Sequence, residues 1–281
     1  MASTKDFKNR IKSITSIRKI TKAMKMVAAS KLRQAQRNLD VIRPYFKTVD
    51  SLFNEYQNAS SNESIVNNKI VVPISSDRGL CGGINTNVVK ATKALVTKNN
   101  ALDTNASIIC VGIKAKDQLQ RLYGKIISTS ITDVSKKGVS FANASLIAEE
   151  ILNTNYDTCY LVYNQFRSVL TQNVIESKIA SRAALENSYN EFNNYEMEPS
   201  KSDVLFDLYE YYLGLKTYYV LIENVTSEQG ARMNAMDNAA KNAGEMIDKL
   251  TLIYNKARQA SITSELIEII SCASAVSSSK N

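Results

Sequence analysis

The chain has 281 residues, 44% of them hydrophobic, with nine glycines, three prolines and a formal charge of +8, values of an ordered, helix-rich protein large enough for at least one core. No run approaches the ~20 apolar residues that cross a bilayer, and the N-terminus lacks the apolar stretch of a secretory signal. Histidine is absent, which excludes His-based acid–base catalysis, Ser-His-Asp and Cys-His arrangements and most zinc chemistry. With no carboxylates paired at a catalytic spacing either, the chain by itself reads as a non-enzyme without cofactor or metal. Cys81, Cys110, Cys159 and Cys272 form no C-x-x-C pair and read as reduced thiols.

From Phe7 to Gln57 the pattern is helical, interrupted only by Pro44, and no glycine precedes Gly79. At ~1.5 Å per residue this predicts a rod of roughly 75 Å. Thirteen Lys and Arg stand against Asp6, Asp40 and Asp50 in the first fifty residues, a balance of +10 that leaves the rest at −2. Such a helix calls for an acidic partner, whether nucleic acid, anionic lipid or an acidic protein surface. An apolar seam runs through Ile14, Ile17, Thr21, Met24, Ala28, Leu32, Ala35, Leu39 and Ile42, a heptad pattern with one four-residue stutter.

Asn/Ser-rich stretches at Gln57–Asn68 and Glu186–Asp203 bracket a segment of different rhythm. Strand signals at Ile70–Ser75, Ser107–Ile113, Ile126–Ile131, Thr158–Phe166 and Val174–Ile179 alternate with helical patterns at Asn87–Thr97, Lys116–Tyr123 and Ala142–Leu152. Alternation of this kind implies a Rossmann-like parallel sheet. The turn Ser75-Ser76-Asp77-Arg78-Gly79-Leu80-Cys81-Gly82-Gly83 has neither the spacing of an ATP-hydrolysing loop nor that of a dinucleotide site. It reads as a tight turn for helix–strand packing, with a phosphate cradle as the weaker possibility.

A second helical stretch, Val204–Val276, contains no proline and predicts a rod of roughly 105 Å. Its seam, Leu215, Tyr219, Ile222, Thr226, Gln229, Met233, Met236, Ala240, Ala243, Ile247, Leu250, Tyr254 and Ala257, alternates 4 and 3 throughout. Both seams are rich in Ala and Met, which allow close helix approach, so the two helices are expected to pair antiparallel. The second outruns the first by about 30 Å. Its last part, with Ile262, Leu266, Ile267, Ile269 and Ile270, is an apolar tip that needs an enclosing protein. The expected architecture is α/β with long terminal helices, divided as coiled-coil helix 1–57, α/β foot domain 69–190, and coiled-coil helix with tip 204–277.

Three blocks resemble the gamma-subunit family of F-type ATP synthases: Ile20-Thr21-Lys22-Ala23-Met24-Lys25-Met26-Val27-Ala28-Ala29-Ser30-Lys31, the turn Ser76–Gly82, and Ser227–Ile270 with Ala231-Arg232-Met233-Asn234-Ala235-Met236-Asp237 and Ala257-Arg258-Gln259-Ala260-Ser261-Ile262-Thr263. The similarity covers the whole chain in the family's order. It implies a central rotor shaft inside a hexamer of three alpha and three beta subunits, with its foot against epsilon-type and delta-type central-stalk subunits and the membrane ring of c subunits. It also implies that Lys22, Met24 and Lys25 pass the lever loops of the beta subunits, that Arg232 and Gln259 meet a beta-subunit catch, and that Ile262, Leu266 and Ile270 turn in a sleeve.

One departure is Cys272, where the family usually has glycine. The paired-cysteine insertion of the chloroplast type is missing, the blocks Ser227–Met236 and Glu245–Tyr254 look similar to mitochondrial sequences, and Ala2-Ser3-Thr4-Lys5 resembles a mature N-terminus, so the expected location is peripheral, on the matrix side of the mitochondrial inner membrane. A bacterial plasma membrane, cytoplasmic face, is the alternative. The competing function is a basic coiled-coil scaffold for nucleic acid or anionic membrane, which predicts DNA affinity that falls steeply with salt; the resemblance implies no nucleic acid.

Overall fold

In the computed structural model the structure describes residues 4–59, 68–98, 105–136, 138–182, 198 and 200–278. Its elements in chain order are α1 (Thr4–Ala59), β1 (Asn68–Pro73), α2 (Ile84–Lys98), β2 (Asn105–Val111), α3 (Ile113–Tyr123), β3 (Ile127–Ile131), α4 (Phe141–Leu152), β4 (Thr158–Phe166), β5 (Gln172–Ala180) and α5 (Lys201–Ser278). α1 runs unbroken through Pro44, which lies on its exposed face. There water can satisfy the carbonyl that proline leaves without a donor. Most of both Asn/Ser-rich brackets lies outside the described residues. The chain divides into two compact units, Met1–Val27 with Ala235–Asn281, and Ala28–Asn234.

The larger unit is built on a five-stranded sheet in the order β3-β2-β1-β4-β5. The pairs β3–β2, β2–β1 and β1–β4 are parallel, whereas β5 runs antiparallel to β4 with Phe166 opposite Gln172. Helices connect the parallel strands, but only residues 167–171 separate β4 from β5, and so short a link permits only a hairpin. Alternate side chains enter two cores. Val71, Ile108, Cys110 and Val162 join residues of α2 and α3 such as Val88, Val89, Ala115 and Leu119. Ile70, Val72, Ile74, Ile109, Val111 and Leu161 face the opposite way, into a core shared with Ile147 and Ile151 of α4, Leu39, Phe46 and Phe53 of α1, and Tyr212, Leu213 and Val220 of α5.

α5 is therefore a core helix here. From Tyr212 to Gly230 every residue is buried except Tyr218 and Val225, which are half-buried. Phe46 stacks on Tyr219 with ring centroids 4.1 Å apart, and Phe53 on Tyr212 at 3.9 Å. Because 46 and 53 rise as 219 and 212 fall, the helices are antiparallel.

In the smaller unit the first turns of α1 lie along the later part of α5, again antiparallel. Lys25 reaches Asp237 at 2.7 Å, and the Arg18 guanidinium lies against Gly244, where an added Cβ would come within 3.5 Å of it. Buried or half-buried residues of α5 in this unit include Met236, Ala240, Ala243, Ile247, Leu250, Tyr254 and Ala257, all on the seam its sequence predicts.

The seam of α1 departs from expectation. Half-buried and buried residues step by 4 and 3 through Phe7, Ile11 and Ile14, then through Thr21, Lys25, Ala28, Leu32, Ala35, Leu39, Ile42 and Phe46. With Arg18 filling the one gap the heptad is continuous, and the stutter is absent. Ile17 and Met24, taken by sequence as seam residues, are instead 49% and 38% exposed. Positions 17 and 18, and 24 and 25, are neighbours about 100° apart around the helix. The Arg18 guanidinium lies against Gly244 and Asp237 supplies a counter-charge to Lys25, so the polar member of each pair faces α5.

Candidate interaction surfaces

The displacement of Ile17 and Met24 creates an outward stripe. Ile17, Ile20, Met24 and Val27 are all exposed at spacings 3, 4 and 3, which places them on one face of α1. Exposed Lys19 and Lys22 flank it. Of the basic residues that give α1 its charge, Lys25 is half-buried against Asp237 and Arg43 against Glu223, so part of the excess is neutralised within the chain. Lys12, Lys19, Lys22, Lys31, Arg33, Arg37 and Lys47 remain exposed. Hydrogen bonds from Lys25 and then Lys241 hold the Asp237 carboxyl below the usual carboxylate range.

Arg232 is placed differently. It bonds to Glu228 one turn earlier at 2.6 Å and donates to the Gly79 carbonyl at 3.3 Å, fastening α5 to the glycine turn. Burial raises the Glu228 carboxyl, an effect the Arg232 charge partly offsets. Gln259 belongs to the other unit and is exposed.

The turn itself is internally satisfied. Ser76 N–H donates to Asn85 Oδ1 at 3.0 Å, and Asn85 Nδ2 returns to Ser76 Oγ at 2.7 Å. Asp77 accepts from the backbone N–H of Ile113 and of Asp133, both at 3.1 Å. Gly112, at φ +94°, approaches so closely that a Cβ would stand 2.5 Å from the Ser75 carbonyl oxygen. Leu80 leaves this network. It holds φ +63°, an uncommon conformation for a residue with a side chain, and that side chain is exposed.

The ends of β1 and β2, where open α/β sheets take ligands, are covered by Leu221, Asn224, Val225 and Glu228 of α5, and the remaining space is about 10 Å³. Small-molecule sites have several hundred Å³. The helix-packing role of the turn accounts for its geometry, and a phosphate cradle does not.

Beyond Ala257 every side chain from Arg258 to Ser274 is exposed, including Ile262, Leu266, Ile267, Ile269 and Ile270. From Arg18 beside Gly244, fourteen steps back on α1 reach Thr4, its first helical residue, and fourteen steps forward on α5 reach Arg258. Cover by α1 therefore stops at the residue where full exposure begins. The uncovered stretch continues for roughly 25 Å as helix with apolar residues around much of its circumference.

Several features were not legible in the sequence. Arg43 and Glu223 are 180 positions apart and no local pattern links them. The outward stripe is hidden in the sequence because two of its four apolar residues, Ile17 and Met24, fit the predicted seam. The strained Leu80 carried a signal, a lone large side chain between Gly79 and Gly82.

A family model described as ATP synthase matches residues 3–276. The chain is 41% identical over 290 residues to an ATP synthase gamma chain of Pelagibacter ubique, covering 96% of this chain and 98% of that one. It is 42% identical over 288 residues to the mitochondrial ATP synthase subunit gamma of Arabidopsis thaliana, covering 99% and 87%. Among solved structures, a chain from the central stalk and c-ring of Tetrahymena thermophila mitochondrial ATP synthase is similar with TM-score 0.70 and 30% identity, over 78% of this chain and 99% of that one. A chain of the Euglena gracilis mitochondrial ATP synthase shares the fold with TM-score 0.82 at 22% identity, over 99% and 96%.

Proposed function

The chain belongs to the ATP synthase gamma-chain family, and from that premise we propose that it is the central rotating stalk of a proton-translocating F-type ATP synthase. It is a non-catalytic subunit: the complex makes or hydrolyses ATP on its beta subunits, and this chain couples rotation of the c-ring to them. The paired helices stand inside the hexamer of three alpha and three beta subunits. Lys22 and Met24, with the outward stripe around Ile20 and Val27, face the beta-subunit levers, and Gln259 faces the catch, while Lys25 and Arg232 are engaged within the chain by Asp237 and Glu228. Ile262, Leu266 and Ile270 turn in the sleeve. The sheet unit meets the epsilon-type and delta-type stalk subunits and the c-ring.

The observation that carries the reading is the bare stretch 258–274. An exposed helix with five large aliphatic side chains is an aggregation hazard in water, whereas a bearing that encloses it on all sides removes that exposure. A single asymmetric shaft then explains the coupling. It presents a different face to each of three identical beta subunits, so their sites differ in affinity, and turning the shaft moves each site through the same states in succession. No described helix is long and apolar enough to cross a membrane, which fits a peripheral subunit at the mitochondrial inner membrane on its matrix side.

The test is ATP hydrolysis by purified alpha and beta subunits with and without this chain, while the mass of the assembly is recorded. One copy joining a three-plus-three hexamer and raising steady turnover is the expected result. A chain that stays out of the hexamer and leaves turnover unchanged would sink the proposal.

A further inference from the structure

Glu223 lies in the middle of α5 and is 0% exposed. Its carboxylate receives the Nε and Nη2 of Arg43 at 3.0 and 3.2 Å, the Tyr219 hydroxyl at 2.7 Å and the Phe166 backbone N–H at 2.8 Å. Arg43 also donates to the Phe166 carbonyl at 2.6 Å. Both polar groups of the last residue of β4 are thus held, one by each helix. Two residues earlier on the strand, Asn164 donates to Asn224 at 3.0 Å and accepts from Ser227 at 3.0 Å.

Apolar contacts are non-directional. Charge-assisted, bidentate hydrogen bonds fix angle as well as distance. α1, α5 and the sheet meet here through a fully satisfied ionic group, in a region where apolar side chains would have been enough for burial. Glu223 is buried and Arg43 half-buried, and an ion pair is weak evidence for stability, so burial energy alone does not explain the pair. Angular rigidity does.

We propose that the Arg43–Glu223–Phe166 junction is the torque clamp of the chain: it locks both shaft helices to the end of β4 so that torque passes between the helices and the sheet unit without slip. Arg43 and Glu223 are positioning residues and act through this lock. The inference rests on the rotor reading above. It assigns the lock to loaded rotation, because only when the c-ring is driven does torque have to pass from the helices through the sheet unit.

The experiment uses the complete ATP synthase reconstituted in vesicles, with Glu223→Gln and, separately, Arg43→Lys, which cannot hold Glu223 and the Phe166 carbonyl together in the planar geometry of arginine. Protons pumped per ATP hydrolysed are measured beside the unloaded hydrolysis of the hexamer-plus-shaft complex, each normalised to assembled complex. The expected result is a partial loss of the pumping ratio in both variants, with unloaded hydrolysis unchanged. Asp117→Asn, which breaks an exposed surface pair with Lys114, leaves both unchanged. A pumping ratio that stays at the wild-type value in both variants overturns the clamp. So does a fall of both activities in equal proportion, because that marks a purely structural loss. Failure of the wild-type chain to enter the hexamer would instead refute the rotor reading, and the two failures are separable.

Discussion

In the sheet unit α1 meets α5 through stacked rings, Phe46 on Tyr219 and Phe53 on Tyr212, whereas in the helix-pair unit the same seam is lined by Thr21, Met236, Ala240 and Ala243. Both stretches keep the heptad spacing, so the period cannot account for the contrast. Where the sheet supplies a further wall, α5 buries all sides and accepts charged and polar residues such as Glu223, Asn224 and Glu228, because other elements furnish their hydrogen bonds. Where α1 is the sole partner among the described residues, α5 buries a single stripe, and past Ala257 none. One continuous helix thus serves as core, as half of a pair and as a bare tip, according to how many neighbours it has.

The sharpest way to break this comparison is to remove a ring from the thick region. Phe53→Ala should cost about 3–5 kcal/mol, since it empties a stacked site in a core walled by several elements; chemical denaturation of the purified chain measures it, and a loss below about 1 kcal/mol would mean that the rings are not holding the helices. Alkaline pH is the next lever, because the buried thiols lie in the sheet unit. Burial pushes the Cys110 thiol up to about 11 and the Cys159 thiol to about 12 from an ordinary value of 9. Between those values the folded chain keeps protons that the unfolded chain releases. The stabilisation is complete below pH 9 and is lost as pH rises toward 11 and 12, by up to about 1.4 kcal/mol per pH unit for each thiol. Cys159→Ala should flatten that slope in thermal melts taken from pH 8.5 to 11.

In the thin region the sensitive change is the opposite one. Ala240→Leu should destabilise by about 1–3 kcal/mol through overpacking between two close helices; helix content recorded by circular dichroism during a melt checks it, and a neutral result would show a looser pair. The smallest effect belongs to the tip. Truncation before Ile262 should change stability by less than about 0.5 kcal/mol, since the side chains described from 262 to 274 are exposed, yet it should weaken entry into the alpha–beta hexamer. Loss of helix pairing in the truncated chain would mean that the tip is held within the chain after all.

Much of this was written in the sequence. The absence of glycine before Gly79 and of proline after Val204 fixed two long helices, and every seam position predicted for α5 from Leu215 to Ala257 is buried or half-buried. The alternation of β-branched runs with helical patterns fixed the parallel part of the sheet, because those periods follow from backbone geometry alone. Tertiary structure decided what local patterns leave open. Arg18 rather than Ile17, and Lys25 rather than Met24, face α5 because Gly244 and Asp237 stand opposite them, more than two hundred residues away in the chain. For the same reason Glu223 reads in sequence as one more charged helix residue and becomes, with Arg43 and the end of β4 around it, the most densely hydrogen-bonded carboxylate described. A period of 3.5 specifies which side of a helix is buried, but the choice between adjacent positions, and the placing of a charge inside, depends on partners that only the folded chain brings within reach.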